Sequence, residues 1–260
     1  MNDIALELFA SEYARHRAEE GRGYTGEQLL QLPYLRSGPH AAQWAIRART
    51  FDAFVAHVLR PEAERRRRPL EVLDLGAGNG WLSYRVALEG HHSIALDIRG
   101  DAIDGLGASG AFRRKLGSLD CIIAPFDAVP LERGSVDIAL FNASLHYSTD
   151  LAAVLDEARR VVRPGGQIAI LDSPFYRRES DGRAMVADKR VQFGVRADVL
   201  MALPFIEFLT RERLRDAAPE LDWKRHRVRY PLAYELRPLI AALRRKRRPS
   251  RFDLWVARVP

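Results

Sequence analysis

The richest concentration of residues able to do chemistry is Val72-Leu73-Asp74-Leu75-Gly76-Ala77-Gly78-Asn79-Gly80. An apolar run ends there in a cluster of glycines. Such a cluster lets the backbone turn sharply and lets a ligand approach without meeting a Cβ. Asp74, two residues ahead of the first glycine, can organise the loop and face a cation. Further polar groups end apolar runs downstream. Asp97, followed by Ile98, closes His92-Ser93-Ile94-Ala95-Leu96 and lies 17 residues after Gly80. A carboxylate so placed can accept both hydroxyls of a ribose; it can equally cap a helix. Asp127, in Ala124-Pro125-Phe126-Asp127-Ala128, can accept a hydrogen bond from an adenine amino group while Phe126 or Ala128 packs on the ring, or it can be an ordinary turn acid. Asn142 leads into Ala143-Ser144-Leu145-His146-Tyr147. His146 is the best candidate for a general base, because an imidazole titrates near neutrality; the alternative is a histidine that packs or hydrogen-bonds in its loop.

These groups need strands to hold them. Residues 70–75, 92–97, 119–124, 135–143 and 167–174 read as five strands. Helical patterns separate them at 79–89, 101–116 and from about 150 to 162, the last capped by Thr149 or Asp150 and stopped by Pro164-Gly165-Gly166. Strand–helix alternation at this spacing predicts a parallel sheet with helices on both faces. Every motif above then falls at the carboxyl end of a strand, where such sheets bind ligands. Residues 1–60 read as a helical cap or lid. Within it Tyr13, Tyr24, Tyr34, Arg36, Trp44 and Arg47 are candidates to close over a ligand or bind an acidic one. Packing of the cap on the sheet is the competing role, with Trp44, Ile46, Phe51, Phe54 and Val55 as core. Residues 61–260 form the main domain. It contains a break in the alternation at 175–208, a helix at 210–218 capped by Thr210, strand-like segments at 224–230 and 251–259, and an extra helix at 232–248 with Leu232, Leu236, Leu239, Ile240 and Leu243 on one face.

The chain has 260 residues and is 47% hydrophobic, which is ordinary for a globular protein and too apolar for a disordered one. One cysteine, Cys121, excludes an intrachain disulfide or a multi-cysteine metal cluster; no metal is expected. The acids among the first twelve residues argue against a secretory signal, and no run reaches the ~20 apolar residues of a membrane span. The expected setting is the cytoplasm. The net charge of +7 is uneven. Residues 211–251 hold 14 Lys or Arg against 5 acids, and the remainder 27 against 29. The basic runs Arg65–Arg68 and Arg244-Arg245-Lys246-Arg247-Arg248 read as solvated ends; RNA or an anionic membrane is the functional alternative.

A glycine-rich strand–helix turn also occurs in dinucleotide-binding folds as G-x-G-x-x-G. Counted from Gly76, the third glycine position holds Trp81. A side chain that large obstructs the close helix–strand packing of that pattern, which disfavours a nicotinamide dehydrogenase.

Taken in order, VLDLGAGNG, the acid of IALDI, PFDAVPL, SVDIALFNASLHY and VVRPGGQIAIL resemble the class I S-adenosylmethionine-dependent methyltransferases, in particular the branch called methyltransferase type 11. The resemblance covers about residues 68–174. It implies an α/β, Rossmann-like sheet of seven strands, mostly parallel with an antiparallel last strand, and methyl transfer from S-adenosylmethionine, leaving S-adenosylhomocysteine. It further implies that Gly76 and Gly78, with Asp74, Ala77 and Asn79 around them, line the methionyl portion. Asp97 with Ile98 would hold the ribose, Phe126 and Asp127 the adenine, and Asn142 would border the site. The expected acceptor is a small molecule. Asn142 is not followed by the Pro-Pro-Tyr or Pro-Pro-Phe associated with methylating exocyclic amines of DNA bases. An RNA methyltransferase using the basic C-terminal surface, and a non-catalytic nucleoside-binding protein of the same fold, are the alternatives.

Overall fold

The computed structural model describes residues 3–260, so Met1 and Asn2 of the expected cap lie outside the described residues. Seven strands form one sheet: β1 (Glu71–Leu75), β2 (His92–Asp97), β3 (Asp120–Ile123), β4 (Val136–Asn142), β5 (Val162–Leu171), β6 (Lys224–His226) and β7 (Leu254–Arg258). Their spatial order is β3-β2-β1-β4-β5-β7-β6. β1 to β5 run parallel, and β7 is antiparallel to both β5 and β6. This is the expected seven-stranded, mostly parallel sheet. The central strands are apolar on both faces because both faces are covered. In β4, Ile138 and Leu140 belong to one core, and Ala139 and Phe141 to the other, as a pleat of period two requires.

The first core lies under α2 (Gly26–Gln31), α3 (Ala41–Phe54) and α4 (Arg60–Arg66) of the N-terminal segment, whose opening helix α1 (Asp3–Glu19) adds none of its described side chains to it. A π-helical turn at Val55–Leu59 joins α3 to α4, so the boundary expected at residue 60 falls inside one continuous spiral. Trp44, Phe51 and Phe54 of α3 pack there with Trp81, which opens α5 (Trp81–Leu88), and with Phe112 of α6 (Gly110–Leu116). Trp44 and Phe51 both meet Trp81 edge-on, at 5.6 and 5.8 Å between ring centres. The large side chain where a dinucleotide fold needs glycine is therefore a pillar between cap and sheet.

The second core lies under α7 (Leu151–Val161) and α10 (Arg211–Ala217); α8 (Glu179–Phe193) and α9 (Ala197–Leu200) add no side chain to it. In α7, Leu151, Val154, Leu155, Ala158 and Val161 recur at helical spacing and are buried. Asp150 caps it, accepting from the Ala153 N–H at 3.0 Å. Thr210 caps α10 in the same way.

Two expectations need correction. Pro164-Gly165-Gly166 does not precede β5; it lies within it. Val162 already pairs with Val136, and the register shifts before Gln167 pairs with Ile138. A Cβ at Gly166 would come within 2.6 Å of the Asp137 carbonyl, so the irregular crossing needs glycine there. The helix expected at 232–248 is instead α11 (Leu232–Glu235) and α12 (Arg237–Leu243), and it stops before the basic run.

Three cations of the run Arg65–Arg68 are tied to buried acids, while exposed Arg67 forms no ion pair among the described residues. Arg65 and Arg66 pair with buried Glu62. Arg68 and Arg163 reach buried Asp137 at 2.8 and 2.7 Å, at the end of the sheet away from the site.

Candidate active site

Parallel register brings the carboxyl ends of the strands to one edge. Leu75 of β1 pairs with Leu96 of β2 and with Phe141 of β4, so Gly76, Asp97 and Asn142 leave the sheet side by side. A cavity of about 370 Å³ opens there, within the usual range for small-molecule sites. Gly76, Ala77, Gly78, Asn79, Asp97, Ile98, Phe126, Asp127, Asn142 and His146 all border it.

The glycine loop is shaped by its own backbone. Gly76 has φ +77°, and a Cβ there would overlap the Cβ of Ser144. The Ser144 hydroxyl in turn donates to the Leu75 carbonyl, tying the loop after β4 to the end of β1. Asp97 braces the loop from the far side. Its Oδ2 accepts from the Gly78 N–H at 2.7 Å and its Oδ1 from the Arg99 N–H at 2.8 Å. Burial pushes this carboxyl up, against the pull of those two amides. Each oxygen retains acceptor capacity toward the cavity. Asp127 stands exposed at the rim beside half-buried Phe126.

Asp74 does not border the cavity. It is fully buried and faces no cation among the described residues. Its Oδ2 accepts from the Ser83 hydroxyl at 3.0 Å, and its Oδ1 has no partner among the described residues. Burial pushes it up to about 7. Its role is to hold the start of α5 beneath the loop.

Residues of the N-terminal segment form part of the cavity wall. Tyr13, Arg17, Trp44 and Arg47 line it. Tyr24 supports Trp44 by accepting from its indole N–H at 2.7 Å. Tyr34 points elsewhere and donates to Asp52, while Arg36 is exposed away from the cavity. Arg17 is neutralised by Asp104 at 2.6 Å, and Asn79 donates to the same carboxylate. Arg47 has no hydrogen-bond or ion-pair partner among the described residues. Its guanidinium lies 5.0 Å from the Trp44 ring centre, and burial depresses its proton affinity, countered by Asp172. It is the cavity's unneutralised cation.

His146 sits beyond β4 with Nδ1 3.5 Å from the Ser173 hydroxyl and its ring 4.3 Å from that of Tyr147. Burial, then the charges of Lys189 and Arg47, lower its pKa to about 3. The imidazole is therefore neutral across the physiological range, an acceptor or donor of hydrogen bonds rather than a strong base. Tyr147 shares a 3.0 Å hydroxyl–hydroxyl hydrogen bond with Tyr13, which links the post-β4 loop to α1.

Several lining residues lack a sequence signal of their own. Phe9 of α1 meets Phe205 edge-on at 4.8 Å, and both line the cavity. Asp172 is different. It directly follows β5, as Asp97 ends β2, and the same pattern of an apolar run closing on an acid marks it. It adopts φ +51°, accepts from Thr50 at 2.6 Å through Oδ1, and is pushed up to about 6 by burial, against Arg47 and Thr50.

Residues 73–170 match the family model described as a methyltransferase domain. That stretch, 98 of the 260 residues, runs from within β1 to the end of β5. Among curated proteins, it is 33% identical over 104 residues to the malonyl-[acyl-carrier protein] O-methyltransferase of Erwinia billingiae, covering 40% of this chain and 39% of that protein. It is 31% identical over 127 residues to the ubiquinone/menaquinone biosynthesis C-methyltransferase of Methylobacterium nodulans, covering 48% and 49%. These alignments span less than half of either relative's length. Among solved structures, MccD protein superposes with a TM-score of 0.55 at 16% identity over 81% of this chain and 96% of that one. A geranyl diphosphate methyltransferase in complex with GPP and sinefungin gives 0.53 at 17%, over 74% and 71%. At such identities the likeness is one of fold.

Proposed function

We propose that this chain transfers a methyl group from S-adenosylmethionine to a small-molecule acceptor in the cytoplasm. The observation that carries the reading is the single cavity on which the Gly76–Asn79 loop, Asp97, Asp127 and the unpaired Arg47 converge. These residues fit the cofactor group by group. Gly76 and Gly78 border the cavity with backbone alone, Gly76 because Ser144 packs where its Cβ would lie. Asp97, its oxygens already oriented by two amides, accepts from a ribose. Asp127 at the rim accepts from an adenine amino group while Phe126 packs beside it. Arg47 pairs with a carboxylate, which the methionyl end carries, and Asn142 borders the centre through an Oδ1 that has no partner among the described residues.

S-adenosylmethionine, when bound, supplies a methyl group already activated on a sulfonium. The protein's share is then positioning, which in favourable cases is worth ~7–11 kcal/mol of barrier. Tyr13, Tyr147, Phe9 and Phe205 wall the cavity and exclude water, and His146 orients the acceptor by a hydrogen bond from its neutral ring.

Calorimetry with S-adenosylhomocysteine tests the reading. Saturable binding is expected, and Asp97→Ala should weaken it about 100-fold, the worth of two hydrogen bonds to a charged group. No binding heat by the unaltered protein would overturn the proposal; full affinity in Asp97→Ala would overturn the ribose assignment.

A further inference from the structure

Five of the eleven large apolar side chains exposed among the described residues fall within twelve positions: Leu232, Leu236, Leu239, Ile240 and Leu243. They belong to α11 and α12, which act as one spiral. The Leu236 N–H donates to Leu232 O at 2.9 Å, and the Ile240 N–H to Leu236 O at 3.0 Å. At helical spacing the five occupy about 100° of arc. Tyr234, Arg237 and Ala241 lie on the other side and are the partly covered ones; Arg237 stacks 3.8 Å from the Tyr234 ring centre and donates to Ser250 O. The helix is inverted. An ordinary surface helix turns its aliphatic stripe to the core, whereas here Leu232 is 73% and Leu243 77% exposed.

Charge surrounds this stripe. Residues 227–251 hold nine Lys or Arg and one acid, Glu235. Glu235 is taken up by Arg227 and Arg251. Arg229, Arg244, Arg245, Lys246 and Arg248 are exposed and form no ion pair among the described residues. The segment also has a defined place. β6 ends at His226, level with Leu254 of β7, and β7 pairs with β5 so that both lie at the Leu171 end. The 227–253 connection therefore leaves the sheet on the edge that holds the cavity, and its Phe252 lines that cavity.

We propose that α11–α12 is an interfacial helix that docks this edge of the domain on an anionic lipid bilayer. Leu232, Leu236, Leu239, Ile240 and Leu243 enter the acyl boundary, and Arg244, Arg245, Lys246 and Arg248 lie among the anionic headgroups. An aliphatic stripe beside a basic cluster is the composition of such helices. The other occupants fit less well. A nucleic acid answers the cations but gives five aliphatic side chains nothing to enter. Protein hot spots favour Trp, Tyr and Arg, and no exposed member of the stripe is aromatic. A second copy across a two-fold axis would bring the same basic run from both chains together.

Flotation with vesicles separates these. The full chain should rise with phosphatidylcholine vesicles containing one-third phosphatidylglycerol at low salt. It should bind pure phosphatidylcholine at least about tenfold more weakly. Leu239→Asn with Leu243→Asn, and separately Arg244→Gln with Arg245→Gln and Lys246→Gln, should each weaken binding to the anionic vesicles by about tenfold or more. All five positions are exposed, so neither variant removes a core contact. Absence of flotation with anionic vesicles would overturn the proposal. So would unchanged binding by the double leucine variant, which would reduce the effect to charge; retention of that variant on homopolymer RNA would then favour nucleic acid. A dimer in sizing experiments that dissociates in the leucine variant, without vesicle binding, would give the face to a second copy. None of these readouts depends on methyl transfer.

Discussion

A polar group at a strand end acts through what its neighbours already hold. Asp97 and His146 leave neighbouring regions of one sheet edge, yet Asp97 is braced by two amides while His146 is buried against cations. Their types and positions were legible in the sequence, because an apolar run closing on a polar residue marks the end of a strand. The ionisation state of His146 was not, since Lys189 and Arg47 reach it from distant segments. A free histidine titrates near 6.5; this one is neutral above about 3. The pH profile of kcat/KM should accordingly show no limb from His146 between pH 5 and 8. His146→Asn, which keeps a hydrogen-bonding group, should retain turnover to within about tenfold. A limb near neutrality that disappears in the variant would restore the histidine as the base.

At the scale of elements, the apolar strands, the cap of α7 and the glycine loop followed from local pattern. The beginning of β4 shows what pattern leaves open. Asp137 is buried among apolar residues, where a carboxylate is unfavourable unless paired. Burial opposes its ionisation, but Arg68, the Glu71 N–H and Arg163 outweigh that and hold it at about 2. A carboxyl depressed on folding stabilises the native state above its unfolded pKa, and that contribution is lost as pH falls through the folded one. The stabilisation from Asp137 is thus complete above about pH 4 and disappears toward pH 2. Asp137→Asn should cost about 2–3 kcal/mol at pH 7, since it removes a buried charged acceptor from Arg68, Arg163 and the Glu71 N–H, while the two guanidiniums keep partial access to water. Denaturant titrations at pH 7 and pH 3 should show the gap narrowing at the lower pH; an equal loss at both would show that packing, not charge, is what the substitution removes. The same cluster explains Arg68, which composition alone leaves among solvated cations.

Over the whole molecule, the cavity lies between two bodies of structure. The sheet edge supplies Gly76–Asn79, Asp97 and Asn142, and the cap supplies Tyr13, Trp44 and Arg47. A ligand that touches both must bind the folded state selectively. At a hundredfold excess over its Kd, S-adenosylhomocysteine should add ~2.7 kcal/mol to stability and raise Tm by roughly 5–10 °C. A Tm independent of ligand would contradict a shared site. The sequence by itself determined the parallel α/β sheet and the strand ends that carry the Gly76–Asn79 loop, Asp97 and Asn142, because the period of apolar residues and the position of glycine are local quantities. Only the tertiary structure decided which residues of the cap reach the cavity, that Asp172 joins them, that Asp74 lies beneath the site, and that the leucine stripe of α11–α12 faces outward. Amphipathic spacing fixes that a helix has an apolar side. Which way that side turns depends on what the rest of the chain has already covered, and here Tyr234 and Arg237 occupy the inner face.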